Sequence, residues 1–282
     1  MAAARYPSIA QAIGLLALFV GLEILLSVVA GVLEEVLGFP AEHPAVHAAV
    51  ALSAAAITLR RGLRKAGTSF RGAFPFRRVD ASLLLPMALT IIGLLVLGSE
   101  ADNLLRLALP PPPELDALFA RLAGGKDSLW GSVLFLVVVA PWTEELLVRG
   151  LILRGFLRRY SLRRSICVSA LLFGVMHFNP WQLPGAIVLG VVFAWWYVRT
   201  GSLVPCLFGH ALNNATVVLL TSLDIPGSSN AMPSPVRFQP FWFDLLGLLA
   251  TSLGIWMLVR AFSRTAVLFI AEAPPQAPPA GA

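Results

Sequence analysis

The chain has 282 residues, 57% of them hydrophobic and 13% charged, with a mean hydropathy of +0.80. That balance excludes an ordinary soluble domain and points to membrane spans, which are marked by runs of about 18 or more apolar residues. A net charge of +6 and a pI near 10.1 would suit a nucleic-acid binder. The basic residues gather between the apolar runs, however, so nucleic acid is not an expected partner.

Eight apolar segments follow along the chain, at 9–32, 44–59, 82–98, 129–153, 165–178, 183–198, 202–222 and 241–261. They predict an all-α membrane protein, a polytopic bundle of about eight transmembrane helices. The first segment follows Arg5 but is too long for a signal-peptide core and lacks a small-x-small cleavage site, so it reads as a retained span. Glu23 lies within it, as bundle glue or as part of a cavity wall. Glu34 and Glu35 fall at its outer end and read as an interfacial cap. His43 and His47 have metal-like i,i+4 spacing but lack a third ligand.

Seven basic residues from Arg60 to Arg78 follow the second segment, and five from Arg154 to Arg164 follow the fourth. With Arg5, Arg199, Arg260 and Arg264 they place sixteen basic residues on one side of an eight-span alternation. Arg106, Arg121, Lys126 and Arg237 make four on the other. The positive-inside rule puts the richer side, and both termini, in the cytoplasm. The expected location is a cell inner membrane, crossed several times, with membrane lipid as a partner.

The outer segment 100–127 reads either as a surface-lying amphipathic helix or as a polar connector. Cys167 and Cys206 read as small buried apolar residues. The tryptophans fall mostly near span ends, where indole rings favour the interface. A Pro/Ala-rich tail from Glu272 reads as disordered. The chain thus divides into N-terminal spans and outer loop (1–128), the helices that carry chemistry (129–222), and a last span with its tail (223–282).

The fourth segment contains the anomaly. It is apolar except for Trp142, Thr143, Glu144, Glu145 and Arg149. Three unpaired charges near a bilayer centre would cost about 7–10 kcal/mol even on the lenient insertion scale. The run 133–139 offsets only about 2–4 kcal/mol of that. The cluster must therefore face protein or a wet cavity. Glu145 and Arg149, four apart, share a helix face and can pair. Glu144 lies about 100° around the helix without that partner, the situation of a candidate general base.

Two later segments carry polar groups at similar depth. Phe173 sits one turn before His177, where its ring can hold the imidazole. His210 and Asn214 are four apart and share a face, so both can donate to a developing oxyanion. At 1.5 Å per residue, Glu144 lies about 13 Å, His210 about 12 Å and His177 about 18 Å from the cytoplasmic ends of their segments. One layer near the midplane holds all three.

Glu144-Glu145-x-x-x-Arg149, Phe173-x-x-x-His177 and His210-x-x-x-Asn214, in that order on separate helices, resemble the CAAX prenyl endopeptidase type II and bacteriocin-processing (CPBP) intramembrane proteases. The resemblance covers about 129–222. It implies a membrane-embedded endopeptidase acting on a membrane-anchored or prenylated-type peptide. By it, Glu144 activates water with help from His177, His210 and Asn214 stabilise the oxyanion, and Glu145 and Arg149 shape the site. No Ser or Cys nucleophile accompanies a base, which also favours direct hydrolysis. Metal-free chemistry is the preferred expectation. Glu144, His177 and His210 would also form a zinc-type His₂Glu set, although the HExxH spacing is absent. The competing readings are a non-catalytic membrane partner or self-immunity protein and a proton-coupled transporter.

Overall fold

The computed structural model describes residues 6–38, 43–114, 129–223, 236 and 238–263. Arg5, Arg121, Lys126, Arg237, Arg264 and the tail lie outside the described residues. The helices are α1 (Ile9–Leu37), α2 (Pro44–Ala66), the short α3 (Phe70–Ala73), α4 (Leu84–Ala108), α5 (Leu129–Leu157), α6 (Leu162–Val175), α7 (Leu183–Thr200), α8 (Val204–Ser222) and α9 (Phe241–Ser263). All eight expected segments are helical, and no strand occurs among the described residues.

Six of these helices (α1, α4, α5, α7, α8 and α9) are long and apolar enough to cross a membrane. The other two are held by neighbours. The 14 residues of α6 span about 21 Å, short of a hydrocarbon core of about 30 Å. The 23 residues of α2 reach far enough, but its apolar part is largely alanine and arginines follow at once. Small side chains suit α2 to close packing: Ala48, Ala51, Ala54 and Ala55 are buried against α1 and α5.

The chain's centre is α5, which packs against α2, α6, α7 and α8. Every residue from Leu146 to Leu153 is buried. Wide, π-type turns at Val133–Val139 and Leu146–Leu153 flank an α-helical stretch, Ala140–Glu145. Pro141 explains the first of them. Proline has no N–H and its ring crowds the preceding turn, and a widened turn relieves both problems.

Beside this core, α4 and α9 pack tightly through small residues. A Cβ on Gly93 would stand 2.5 Å from the Gly247 carbonyl oxygen and 2.6 Å from the Thr251 backbone nitrogen. Backbone cannot swing aside as a side chain can. Gly93→Ala is therefore expected to lower stability by about 1–3 kcal/mol, read as a lowered midpoint of unfolding in detergent.

Three expectations need correction. The outer segment does not begin at residue 100, because α4 continues to Ala108. Its polar residues are satisfied within the helix: Arg106 pairs with Asp102 at 2.8 Å and Asn103 donates to Glu100 at 2.8 Å. The alternatives for its remainder, 115–127, lie outside the described residues. Cys167 is exposed rather than buried, because α6 packs through Ser165, Ser169 and Ala170, on its opposite side. Trp196, near a span end, is fully buried in the core rather than set at an interface.

Candidate active site

Three helix segments carry the polar groups, and local features of each decide where those groups point. On α5, Glu144 and Glu145 close the α-helical stretch just before the second wide turn. On α6 the helix ends at Val175, and the chain turns through Met176 and His177 to Phe178. Phe178 has φ +50°, a left-handed conformation that a bulky residue adopts only under constraint. Asn179 then accepts from the backbone N–H groups of Trp181 and Gln182 at 3.0 and 3.2 Å, opening α7. This sharp reversal leaves His177 at the very end of its helix. On α8, His210 is buried and Asn214 lies one turn further on.

The expected pair forms. Arg149 Nη1 donates to Glu145 Oε1 at 2.9 Å, with side-chain exposures of 1% and 0%. The guanidinium also donates through Nη2 to the Gly190 carbonyl at 3.3 Å. Its carbon lies 4.2 Å from the ring centroid of Phe173 and 5.3 Å from that of Phe193. Arginine suits this place, since a planar cation can stack on aromatic faces while its fork donates. One side chain thereby ties α5 to α6 and α7.

Glu145 has a second role. His210 Nδ1 lies 2.9 Å from the same Oε1. Glu145 is ion-paired and accepts, so Nδ1 must carry the hydrogen. His177 Nδ1 lies 2.8 Å from the Phe173 carbonyl, which can only accept, so here too Nδ1 is the donor. The expected contact between Phe173 and His177 is present, edge to face at 5.2 Å. What orients the imidazole, though, is a backbone carbonyl as well as a ring.

Both imidazoles therefore present Nε2 to the same place. The Nε2 atoms of His177 and His210 lie 3.7 and 4.0 Å from Glu144 Oε2. Glu144 is partly exposed, at 16%, and its buried Oε2 makes no hydrogen bond to protein. Neutral imidazoles oriented this way turn lone pairs toward a carboxylate oxygen. Three acceptors facing one another call for a proton, a water molecule or a cation between them.

Asn214 takes a partner that the sequence does not suggest. Its Nδ2 donates to the Leu136 carbonyl at 2.8 Å, and its Oδ1 accepts from Asn213 at 3.0 Å. The Leu136 carbonyl is free because of Pro141. In the wide turn the N–H of Ala140 goes to Phe135, and the next donor in that register would be the nitrogen of proline. One amide hydrogen of Asn214 is left over.

Six of the seven expected site residues are joined by these contacts, while Asn214, one turn along α8 from His210, is held by Leu136 and Asn213 instead. The sequence reading missed Phe193, Gly190, Leu136 and Pro141. Phe193 stacks on His210 at 5.8 Å, but a phenylalanine in an apolar span carries no distinguishing mark. Only Pro141 had a legible signal, a proline three residues before a functional carboxylate. Of the decoys, His43 caps α2, accepting from the Ala45 N–H at 3.2 Å. His47 packs 6.1 Å from the ring of Phe135, and no third metal ligand joins the two among the described residues.

Residues 126–216 match the family model described as Rce1-like, type II CAAX prenyl endopeptidase. This stretch of the chain is similar to that family. It contains the three motif segments of α5, α6 and α8, so the resemblance read from those motifs is borne out. The uncharacterized protein YyaK of Bacillus subtilis (strain 168) is 32% identical over 152 residues, 48% of this chain and 50% of the relative. The chain thus spans about half the length of the curated relative it matches. No solved structure matches. With six helices able to cross a membrane, the Rce1-like segment sits in an integral, multi-pass membrane protein.

Proposed function

We propose that this protein is an intramembrane endopeptidase that hydrolyses a peptide bond of a membrane-associated or prenylated-type substrate. The observation that carries the reading is the convergence of His177 Nε2 and His210 Nε2 on Glu144 Oε2. A water molecule there has an ionised carboxylate to accept its proton and an imidazole to fix its orientation. Glu144 takes the proton as the water oxygen attacks the carbonyl carbon, then returns it to the leaving nitrogen. The free amide hydrogen of Asn214 and a proton on His210 Nε2 stabilise the oxyanion. Because Nδ1 is already a donor to Glu145, His210 donates from Nε2 only as an imidazolium. Glu145 is placed to stabilise that cation.

In kind, Glu144, His177 and His210 are the donors of a divalent-metal site, which would polarise the carbonyl and activate water, although no three such groups among the described residues are spaced to hold a metal. Each Nδ1 is hydrogen-bonded outward, as in metal-bound histidines. The metal-free route is preferred because 3.7 and 4.0 Å exceed the about 3.4 Å between ligands on tetrahedral zinc. Turnover by metal-stripped protein, unchanged by chelator, is expected. Restoration only by added zinc would reverse the preference.

A non-catalytic partner would have no need of Glu144 or His177, and both are in place. A transporter reading gains nothing from two oriented imidazoles. We place the catalytic helices at 129–222, in a cell inner membrane with both termini cytoplasmic. Purified protein in detergent or vesicles should cleave membrane-anchored peptides, with products identified by mass spectrometry. His177→Ala is expected to lower turnover about 10²- to 10⁴-fold without unfolding the protein. Cleavage at the wild-type rate would remove His177 from the mechanism.

A further inference from the structure

An asparagine stabilises an oxyanion only while its amide nitrogen, and not its oxygen, faces the reaction. The two ends of an amide are nearly equal in size, and half a turn exchanges a donor for an acceptor. Asn214 therefore needs fixing, and it is fixed at both ends.

Its Nδ2 donates to the Leu136 carbonyl on α5 at 2.8 Å, and its Oδ1 accepts from Asn213 Nδ2 at 3.0 Å. A carbonyl can only accept, so the nitrogen of Asn214 must face Leu136. Asn213 is then the donor to the oxygen end. With both ends of one planar amide bonded, rotation must break a bond at each. The Asn213 contact is not what helical spacing gives, since adjacent side chains diverge by about 100°. The two amides turn toward each other along α8.

The Leu136 carbonyl is open for two reasons that must hold together. The N–H of Ala140, its donor in an α-helical register, goes to Phe135 instead. Its donor in the wider register is residue 141, which is proline and has no N–H. Any other residue at 141 would close the helix on Leu136 and compete with Asn214 for that oxygen. Pro141 is buried within α5, in a helix interior, where proline is the least favourable residue. Its gain is the open carbonyl.

We propose that Pro141 and Asn213 are positioning residues of the proposed hydrolysis, which together hold Asn214 with its spare amide hydrogen presented to the oxyanion. This rests on the endopeptidase reading for its effect on turnover; the hydrogen bonds themselves do not. Neither residue gains or loses a proton. When the carbonyl carbon becomes tetrahedral, its oxygen meets a donor whose orientation was set before the substrate arrived.

Pro141→Ala separates positioning from structure. Alanine restores the N–H and favours the helix, so the midpoint of unfolding in detergent should hold or rise. Turnover of a lipidated reporter peptide should nonetheless fall, with kcat lower by about 10- to 100-fold, part of what an absent donor costs. KM should stay nearly unchanged, because the interaction is made in the transition state. Asn213→Ala should lower kcat in the same way, and it decides where Pro141→Ala does not fold. Wild-type kcat in either folded variant overturns the proposal.

A shift of Glu144, three residues along α5, is the competing cause of a lower kcat, and Asn214→Ala separates the two. Adding Pro141→Ala to Asn214→Ala should slow turnover no further; a multiplied loss overturns the proposal. Solid-state NMR in lipid vesicles, on protein labelled at asparagine nitrogen and leucine carbonyl carbon, reads the bond itself. The side-chain correlation that Asn214→Ala removes should be lost in Pro141→Ala too, and its persistence there overturns the proposal. If wild-type protein cuts no peptide while the correlation behaves as stated, the endopeptidase reading fails and the assignment of the bond to Pro141 stands.

Discussion

Glu144→Ala is expected to lower peptide turnover by about 10³-fold, within the range for loss of a positioned general base, while leaving the protein as stable as before or more so. The second half follows from the geometry. Glu144 makes no hydrogen bond through its buried Oε2, and Glu145 rather than Glu144 holds Arg149. Removing a carboxylate whose neighbours are two imidazoles at 3.7 and 4.0 Å breaks no hydrogen bond of its buried oxygen and relieves a desolvation cost. Loss of function without loss of stability is the signature of strain held at a working site. Turnover of membrane-anchored peptide, read beside thermal unfolding in the same detergent, checks both halves. Wild-type turnover in Glu144→Ala would end its role as the base.

The neighbouring carboxylate should behave in the opposite way. Arg149→Ala removes one member of a pair with side chains 1% and 0% exposed, leaving Glu145 buried with His210 as its partner. Breaking a buried pair on one side costs about 3–5 kcal/mol. Arg149 also stacks on Phe173 and Phe193 and holds the Gly190 carbonyl, so α5, α6 and α7 lose a common tie. A marked fall in unfolding midpoint or in yield of folded protein is expected, with turnover lost as a consequence. Arg149→Lys should recover only part of the stability, because an ammonium cannot stack and fork together. Adjacent glutamates would then be separated by experiment: one whose loss stops chemistry, one whose partner's loss unfolds the site. An Arg149→Ala protein of wild-type stability would refute the structural half of this division.

Much of the site was legible in the sequence because its signals are local or energetic. The i,i+4 spacing of Glu145 and Arg149 implies a shared helix face wherever the helix lies. Charges in an apolar run demand an interior setting. Counting rise per residue brought Glu144, His177 and His210 to one depth. Helix ends were less legible: α4 runs on to Ala108 because Asp102 and Arg106 satisfy each other within the helix, which hydropathy cannot register. Length sets α6, and alanine content sets α2, apart from the six longer or more apolar helices, and the place of both depends on the neighbours that hold them.

By itself, then, the sequence determined a helical membrane bundle, the three motifs, the Glu145–Arg149 pair and the common depth of the polar groups. Each follows from composition, from 3.6-residue periodicity or from the energy of charge in hydrocarbon. Tertiary structure alone decided which nitrogen of His210 faces Glu144, whereas His177 is turned by the Phe173 carbonyl four residues back on its own helix. His210 is turned by Glu145, 65 residues away, and Asn214 by a Leu136 carbonyl 78 residues away, left open by Pro141. Depth along a helix is set by residue count, but rotation toward a partner is set by packing, and packing belongs to the assembled bundle.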